Sequence, residues 1–393
     1  MKKTLAAVAV LGAFAGSALA ADVQLYGIID TGVGYSHIDY DGFADDVDSF
    51  EMQSGQASGS RFGFKGTEDL GNGMTVGFIL ENGILSDTGV DDKVMFNRES
   101  SLFVQGGFGK FAMGRMGALN NGQSSWAKVG MLSAFGTSSW GGYSAQLSNI
   151  FSLAGQWDNM IAYETPDFAG FKVYAQYGMG SDGNENESSS DRFYAIGATY
   201  NNGPIAGYFA VDSINYASFG DGIDGNNIDD SLTITLGGSY DFDVVKVYLG
   251  GQYFDEVKLS SIGGVTSEFK TTAVTGSVPN FSKVGDLKIK GYGISLSADT
   301  PVAGGKAMFG LGYVDAEAAD SMTGFADHPE MDKIDLKRYV VSVGYDYPFS
   351  KRTDVYAVAS WSQDQVEFEA SNTGAQDLDI SAYSLYVGLR HRF

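Results

Sequence analysis

Apolar and polar positions alternate along most of the chain, and this period of two predicts half-buried β-strands. In "VQLYGIIDTGVGYSH", Leu25 and Ile29 lie on one face, and Tyr26 and Asp30 lie on the other. The segments "FKVYAQY" and "VVKVYLGGQY" repeat the pattern with lysines on the polar face. The same alternation assigns six basic residues to polar faces: Lys172, Lys246, Lys288, Lys290, Arg338 and Arg390.

The connectors between these strands are of two kinds that take turns along the chain. Some are short, such as "EDLGNG" and "NNGP", and others are long and acidic, such as "DYDGFADDVDSFE" and "GSDGNENESSSD". The pattern indicates about 16 strands, about 7 short turns and about 8 long loops, with both ends of the mature chain on the side of the short turns.

The first residues, "MKKTLAAVAVLGAFAGSALA", have two lysines ahead of an apolar run and small residues at its end. This layout predicts a secretory signal peptide over residues 1–20 and a mature protein over residues 21–393. Elsewhere the chain has no apolar run of roughly 18 residues, which argues against helical membrane spans. No linker or compositional break divides the mature chain, so we expect one domain.

Composition then removes several classes of function. Loss of Lys2 and Lys3 would take the net charge from -23 to -25, and such an acidic product is unsuited to nucleic acid, whose phosphates need a basic surface. The chain has no cysteine, so disulfides and thiolate metal sites are excluded.

Two architectures can use strands with one apolar face. A soluble β-sandwich would bury the apolar faces in a core, whereas a transmembrane barrel would turn them towards lipid and surround a wet lumen with the polar faces. Export, an even strand count, and short turns at one end with long loops at the other favour the barrel. Its last strand, in "YSLYVGLRHRF", must then pair with the first, turning Tyr383 and Leu385 to lipid and Arg390 and Arg392 to the lumen.

The chain resembles a general porin of the Gram-negative outer membrane, of the β-proteobacterial type. The matching stretches are "VQLYGIIDTGVGY", "SGSRFGFKGTEDLGNG", "FNRESSLFVQGGFGKFAMGR", "YETPDFAGFKVYAQY" and "VGLRHRF". The resemblance implies an all-β, 16-stranded antiparallel transmembrane β-barrel whose third long loop folds inward. It also implies a homotrimer in outer-membrane lipid that passes small ions and hydrophilic solutes without chemistry or cofactors. The terminal Phe393 resembles the aromatic signal that the barrel-assembly machinery recognises.

The resemblance also implies which residues form the pore constriction. The basic wall of the family corresponds here to Arg61 and Arg98, with Lys65 and Arg115 as weaker carry-overs. The loop after Arg115 holds a single charge, Lys128, where many relatives carry carboxylates. We therefore expect a net positive constriction and mild anion selectivity. By alternation, Tyr26 also faces the lumen, and Asp30 and Glu81 are the clearest lumen acids.

A different class of function stays open from the residues alone: a non-conducting barrel that acts as an adhesin or an enzyme. The long acidic loops motivate it, but the three histidines, His37, His328 and His391, are spread along the chain. The acidic loops also lack the spacing of an EF-hand calcium site. We therefore expect neither a catalytic centre nor a metal site.

Overall fold

The computed structural model describes residues 23–42, 45–92, 94–180, 190–216, 229–264, 288–322, 334–370 and 374–393. The predicted signal peptide and His328 lie outside the described residues. The described part of the chain forms an 18-stranded antiparallel sheet. Its strands are β1 (Gln24–Asp39), β2 (Val47–Ser54), β3 (Arg61–Gly71), β4 (Met74–Leu85), β5 (Val90–Asp91), β6 (Glu99–Gly106), β7 (Gly109–Gly117), β8 (Gln156–Glu164), β9 (Phe171–Gly178), β10 (Arg192–Asn202), β11 (Ile205–Asn215), β12 (Leu232–Asp241), β13 (Lys246–Lys258), β14 (Lys288–Val302), β15 (Gly305–Ala318), β16 (Ile334–Pro348), β17 (Thr353–Ala370) and β18 (Gly374–Arg392).

These strands make a closed ring of 16 positions, which confirms the predicted barrel. β2 and β3 occupy one position, because both pair with the same strand, β1, at its two ends. The two-residue β5 pairs only with the end of β4 and stands outside the ring. The ring closes between β1 and β18, from Ile28 opposite Arg392 to Asp39 opposite Ser381.

The connections alternate as the sequence predicted. Seven short turns join the strands at one edge, at 72–73, 107–108, 165–170, 203–204, 242–245, 303–304 and 349–352. Most connections at the other edge are long, and the third, residues 118–155, is here called loop 3. The eighth connection, 371–373, differs from the expected long loop, because β17 and β18 extend to within three residues of each other.

The apolar faces of the strands point outward. In β18, Tyr383, Leu385, Val387 and Leu389 are exposed, whereas Tyr386 and Arg390 on the opposite face are buried inside. This is the reverse of a soluble sandwich and matches a barrel that contacts lipid. The parity predicted for this strand is confirmed.

Exposed aromatic rings gather near both rims of the ring. Phe168, Phe242 and Phe349 stand at the short turns, and Tyr194 and Tyr292 stand near the opposite ends of their strands. Such belts mark the two membrane–water interfaces, where amphipathic rings are stable. The aliphatic band between them is the surface that fits the hydrocarbon layer.

Short 3₁₀ helices occur at Val129–Leu132, Leu147–Asn149, Leu259–Ser261 and Asp320–Met322. Within the described ranges, no helix is both long and apolar enough to span a membrane.

Candidate channel constriction

Loop 3 packs against the inward faces of strands on several sides of the ring. Its backbone N–H groups donate to inward side chains of different strands: Leu119 to Gln176 (2.9 Å), Ala134 to Ser297 (2.9 Å), Ala145 to Ser342 (2.8 Å) and Ser152 to Gln252 (2.6 Å). The partners belong to β9, β14, β16 and β13. Neutral hydrogen bonds therefore hold the loop within the barrel at many separate points.

Arg338 adds a charged anchor for loop 3. Its guanidinium makes two 2.7 Å bonds to the carboxylate of Asp364 and donates to the carbonyl of Asn149 in loop 3 at 3.0 Å. The fork of Arg338 matches a carboxylate in this two-point geometry. Both side chains are almost fully buried, so Arg338 holds the loop in place and does not face the water path.

The loop also depends on a close approach to the wall at Gly293 of β14. A Cβ atom at this position would lie 2.0 Å from the carbonyl oxygen of Ile150. Only glycine lets the two backbones come this near.

A polar cavity of about 600 Å³ lies between loop 3 and a wall formed by β1, β3, β4, the start of β6 and the segment 55–59. We call it the constriction cavity. The wall contributes Arg61, Arg98, Glu81, Glu99 and Tyr26. Loop 3 contributes uncharged groups, among them Gln123, Ser124, Ser125 and Ser138. The predicted wall arginines are thus brought together opposite a hydroxyl-rich loop.

Glu81 bridges the two arginines. Its carboxylate lies 2.7 Å from Nε of Arg98 and 3.4 Å from Nε of Arg61, and it accepts a 3.0 Å hydrogen bond from the Tyr26 hydroxyl. Arg61 is the more exposed of the two guanidinium groups. It is therefore the better placed to meet a passing anion.

Glu99 is a wall residue that the sequence analysis missed. It shares the inward face of β6 with Ser101 and Phe103, whereas Leu102 on the other face is exposed. Its buried carboxylate accepts from the Ser125 N–H at 2.7 Å and from the Ser124 hydroxyl at 2.9 Å. The two glutamates cancel the two arginines, so the cavity wall is formally neutral instead of positive.

Lys128 is the charge that loop 3 brings into the lumen. Its ammonium donates to the Ser125 carbonyl at 2.7 Å and stands 5.6 Å from the centre of the Tyr174 ring. It lines a second cavity of about 460 Å³ with Asn121 and Thr199. Burial lowers the pKa of Lys128 from its usual value, because the ammonium loses hydration.

Lys110 is a further lumen cation, and the sequence analysis did not single it out. Its ammonium lies 4.3 Å from the centre of the Phe103 ring and 5.1 Å from that of Trp126 in loop 3. Alternation could have found it, since Lys110 shares its face with Ala112, whereas Met113 is exposed outside.

Two weaker constriction candidates lie apart from the constriction cavity. Lys65 is exposed and stands 5.2 Å from the centre of the Tyr26 ring. Arg115 donates to the Asn97 carbonyl at 2.8 Å and pairs with Asp158, and it is not among the residues that line the cavity. Arg115 is thus occupied by partners that hold it in place.

Asp30 and Arg390 fix the short segment that connects β2 and β3. Asp30 is fully buried and accepts from the N–H groups of Ala57 and Ser58 at 3.0 and 2.7 Å. Arg390 pairs with Asp346 and Asp354, both at 2.9 Å. It also donates to the Ser58 hydroxyl at 2.8 Å. Both residues point inward, as predicted, but they fix the segment 55–60 instead of lining open water.

The remaining basic candidates divide among several settings. Lys172 faces the lumen with its ammonium 2.6 Å from Glu164, and Lys246 lines the lumen beneath loop 3. Lys288 is buried and lies 3.4 Å from Glu256. Lys290 differs from the expectation, because it shares the outward face of β14 with the exposed Ile294 and pairs with Asp320 at 2.6 Å.

Phe393 lies at the seam that closes the ring. Its N–H donates to the Gly27 carbonyl, and its carbonyl accepts from the Gly27 N–H, both at 3.1 Å. Its exposed ring has the outward parity of Leu389.

The two described histidines do not share a site. His37 stands 3.1 Å from Asp48, and His391 lies 2.8 Å from the Thr353 hydroxyl near the opposite rim. In the part of the chain that the structure covers, no group of three His, Cys, Asp or Glu side chains could hold a metal ion.

Comparison with known proteins relates this geometry to a family. The family model described as Gram-negative porin matches residues 6–365. An outer membrane porin protein of Bordetella pertussis is 31% identical, and the alignment covers 100% of both chains. An outer membrane porin protein of Delftia acidovorans is 29% identical with the same coverage. Among solved structures, the anion-selective porin from Comamonas acidovorans has a TM-score of 0.65 and 25% identity, covering 95% of this chain and 100% of that one.

Proposed function

The chain belongs to the Gram-negative porin family, and we propose that ions and small hydrophilic solutes cross its barrel through the constriction cavity. It is an outer-membrane channel that works by passive diffusion, and it is not an enzyme. The observation that carries the proposal is the cavity itself: charged and hydroxyl groups surround it inside a ring whose outer face is apolar.

We propose that the channel is mildly selective for anions. Because the charges of the constriction wall balance, the anion preference must come from lumen cations that lack a carboxylate partner or are more exposed than the acid they pair with. Arg61 is more exposed than Glu81, and Lys172 is more exposed than Glu164. Lys128 and Lys110 have no carboxylate within 4.0 Å among the described side chains. The named anion selectivity of the similar Comamonas protein supports the same direction.

Charge near the path outweighs charge far from it. The acidic residues of the long loops dominate the net charge of -23, but at 0.1 M salt charges beyond about 10 Å are largely screened. The lumen cations lie beside the passing ion, where low-dielectric walls focus their field.

Planar-bilayer recording tests the channel function. Purified protein should insert in large, steady conductance steps, and liposomes that contain it should swell in solutions of small sugars. A barrel that inserts, as judged by protease protection, but never conducts would refute the proposed function.

We also propose a homotrimer that resides in outer-membrane lipid after signal-peptide removal and insertion by the barrel-assembly machinery. An apolar patch on the outer face supports the oligomer: Phe50 and Met52 of β2 lie opposite Tyr35 and Val33 of β1. Phe50 is 74% exposed, the highest value among the large apolar side chains described. The proposed role of Phe393 in assembly is supported by its exposed ring, which lies where β1 and β18 close the barrel.

A further inference from the structure

A third cavity of about 410 Å³ lies between loop 3 and the side of the barrel that carries the short turns. We call it the lysine cavity. Its wall includes Lys246 of β13, Lys306 of β15 and Ser239 of β12, and loop 3 covers it with residues around Ser138. None of these wall residues lines the constriction cavity. Ser138 of loop 3 borders both cavities, so the lysine cavity is the adjoining part of the lumen on the side of the short turns.

The two ammonium groups here lack carboxylate partners. Neither Lys246 nor Lys306 has an Asp or Glu oxygen within 4.0 Å among the described side chains, in contrast to Lys172 and Lys288. The ammonium of Lys246 lies 5.1 Å from the centre of the Tyr248 ring. Two like charges that share one cavity favour the arrival of an anion between them.

Nearby acids are already occupied. Asp241 and Asp299 lie opposite Lys246 on its two neighbouring strands. Asp241 accepts from the Asp243 N–H at 2.9 Å, and Asp299 accepts from the Tyr248 hydroxyl at 2.7 Å. Asp346 lies opposite Lys306 and pairs with Arg390 at 2.9 Å. These carboxylates reduce the local positive charge without forming an ion pair with either lysine.

Ser239 supplies a neutral donor at the same place. Only 7% of the residue is exposed, and its buried hydroxyl has no hydrogen-bond partner in the described structure. A buried hydroxyl without a partner is costly, and a bound acceptor would remove that cost. Asn201 adds an amide to the same wall.

We propose that the lysine cavity binds a small oxyanion, such as phosphate or a carboxylate, with Lys246 and Lys306 as its counter-charges and Ser239 as a hydroxyl donor. The site rests on the channel function, because solutes reach it through the lumen. Charge-assisted hydrogen bonds from two ammonium groups favour an oxyanion with several acceptor oxygens over chloride. Anions would pause there before they leave towards the periplasm.

Calorimetric titration of the detergent-solubilised trimer with inorganic phosphate, at constant ionic strength, tests the site directly. The unmodified protein should show saturable binding. K246Q/K306Q should weaken it by about tenfold or more, and S239A by about twofold to tenfold, as expected for one hydrogen bond. K290Q/K337Q removes the same number of charges from outward positions and should bind like the unmodified protein.

Three results would overturn the site: no saturable binding to the unmodified protein, unchanged binding in K246Q/K306Q, or a loss of binding in R61Q/R98Q as large as in K246Q/K306Q. The last result would place phosphate at the constriction instead. Bilayer conductance of the same preparations separates this question from the channel function. A conducting protein without phosphate binding refutes only the site, and a non-conducting protein refutes the channel whatever the titration gives.

Discussion

Within the constriction cavity, one carboxylate restrains two guanidinium groups. Glu81 contacts both Arg98 and Arg61, and it also accepts from Tyr26. Alternation along β3 and β4 was sufficient to place Arg61 and Glu81 on the inner face. It could also have revealed Glu99, which has the opposite parity to the exposed Leu102 within β6; the exception is Arg98, which is buried although it shares the parity of Leu102. Alternation was also misapplied at Lys290. That lysine has the same parity as the outward-facing Ile294, so the pattern could have placed it on the outer face.

Replacing Glu81 with glutamine should raise the anion preference. The substitution removes the negative charge that offsets Arg61 and Arg98, and a unit charge at about 4 Å is worth about 1 kcal/mol even in bulk water, or about a fivefold change in a permeability ratio. The reversal potential in a KCl gradient measures that ratio. R61Q/R98Q is the opposite variant and should abolish the anion preference while the trimer persists. An E81Q channel with an unchanged anion preference would show that Glu81 does not act on passing ions, and a weaker preference would contradict the predicted sign.

Among the elements, loop 3 and the break between β2 and β3 are the parts that strand patterns describe least well. The sequence predicted the strands and turns because their period and turn residues are local. The break arises from distant contacts: Asp30 binds the N–H groups at 57 and 58, and Gln56 accepts from the Trp140 N–H of loop 3 at 2.9 Å. No local pattern encodes partners so far apart along the chain. The inward loop came from family resemblance, and its anchors became visible only in the structure.

The Arg338–Asp364 pair should be essential to the position of loop 3. R338Q leaves the Asp364 carboxylate buried without its guanidinium, and breaking such a pair costs about 3–5 kcal/mol. The melting temperature of the folded barrel should fall, and the single-channel current should become noisier as loop 3 loosens. The double variant R338Q/D364N removes both charges and should recover much of the lost stability. Equal melting temperatures for R338Q and the unmodified protein would remove Arg338 from this role.

At the scale of the whole molecule, closure of the ring and the orientation of its faces follow from one requirement: backbone groups in lipid must be paired. This requirement made the pairing of β1 with β18 predictable from the alternating last strand. The contact between neighbouring barrels is harder to predict from the sequence, because outward side chains are apolar whether they contact lipid or another barrel. The exposed patch around Phe50 is therefore a proposal for that contact.

The variant F50S/M52S should weaken the trimer. Loss of the apolar patch lowers the contact area between barrels, so the trimer band on gels should dissociate at a lower temperature. L236S changes an outward leucine of β12 and serves as the matched control, which should leave the trimer band unchanged. Equal effects of the two variants would indicate that β2 meets lipid instead of a second barrel.

The most direct test of the account is the reversal potential of the unmodified channel in salt gradients at two mean concentrations. Near 0.1 M the lumen cations should prevail and give a mild anion preference. Near 0.01 M the screening length grows to about 30 Å, so the acidic outer loops should shift the potential towards cation preference. Cation selectivity at the higher concentration would contradict the account, because it would mean that distant acids outweigh Arg61, Lys128 and Lys110 at the point of passage.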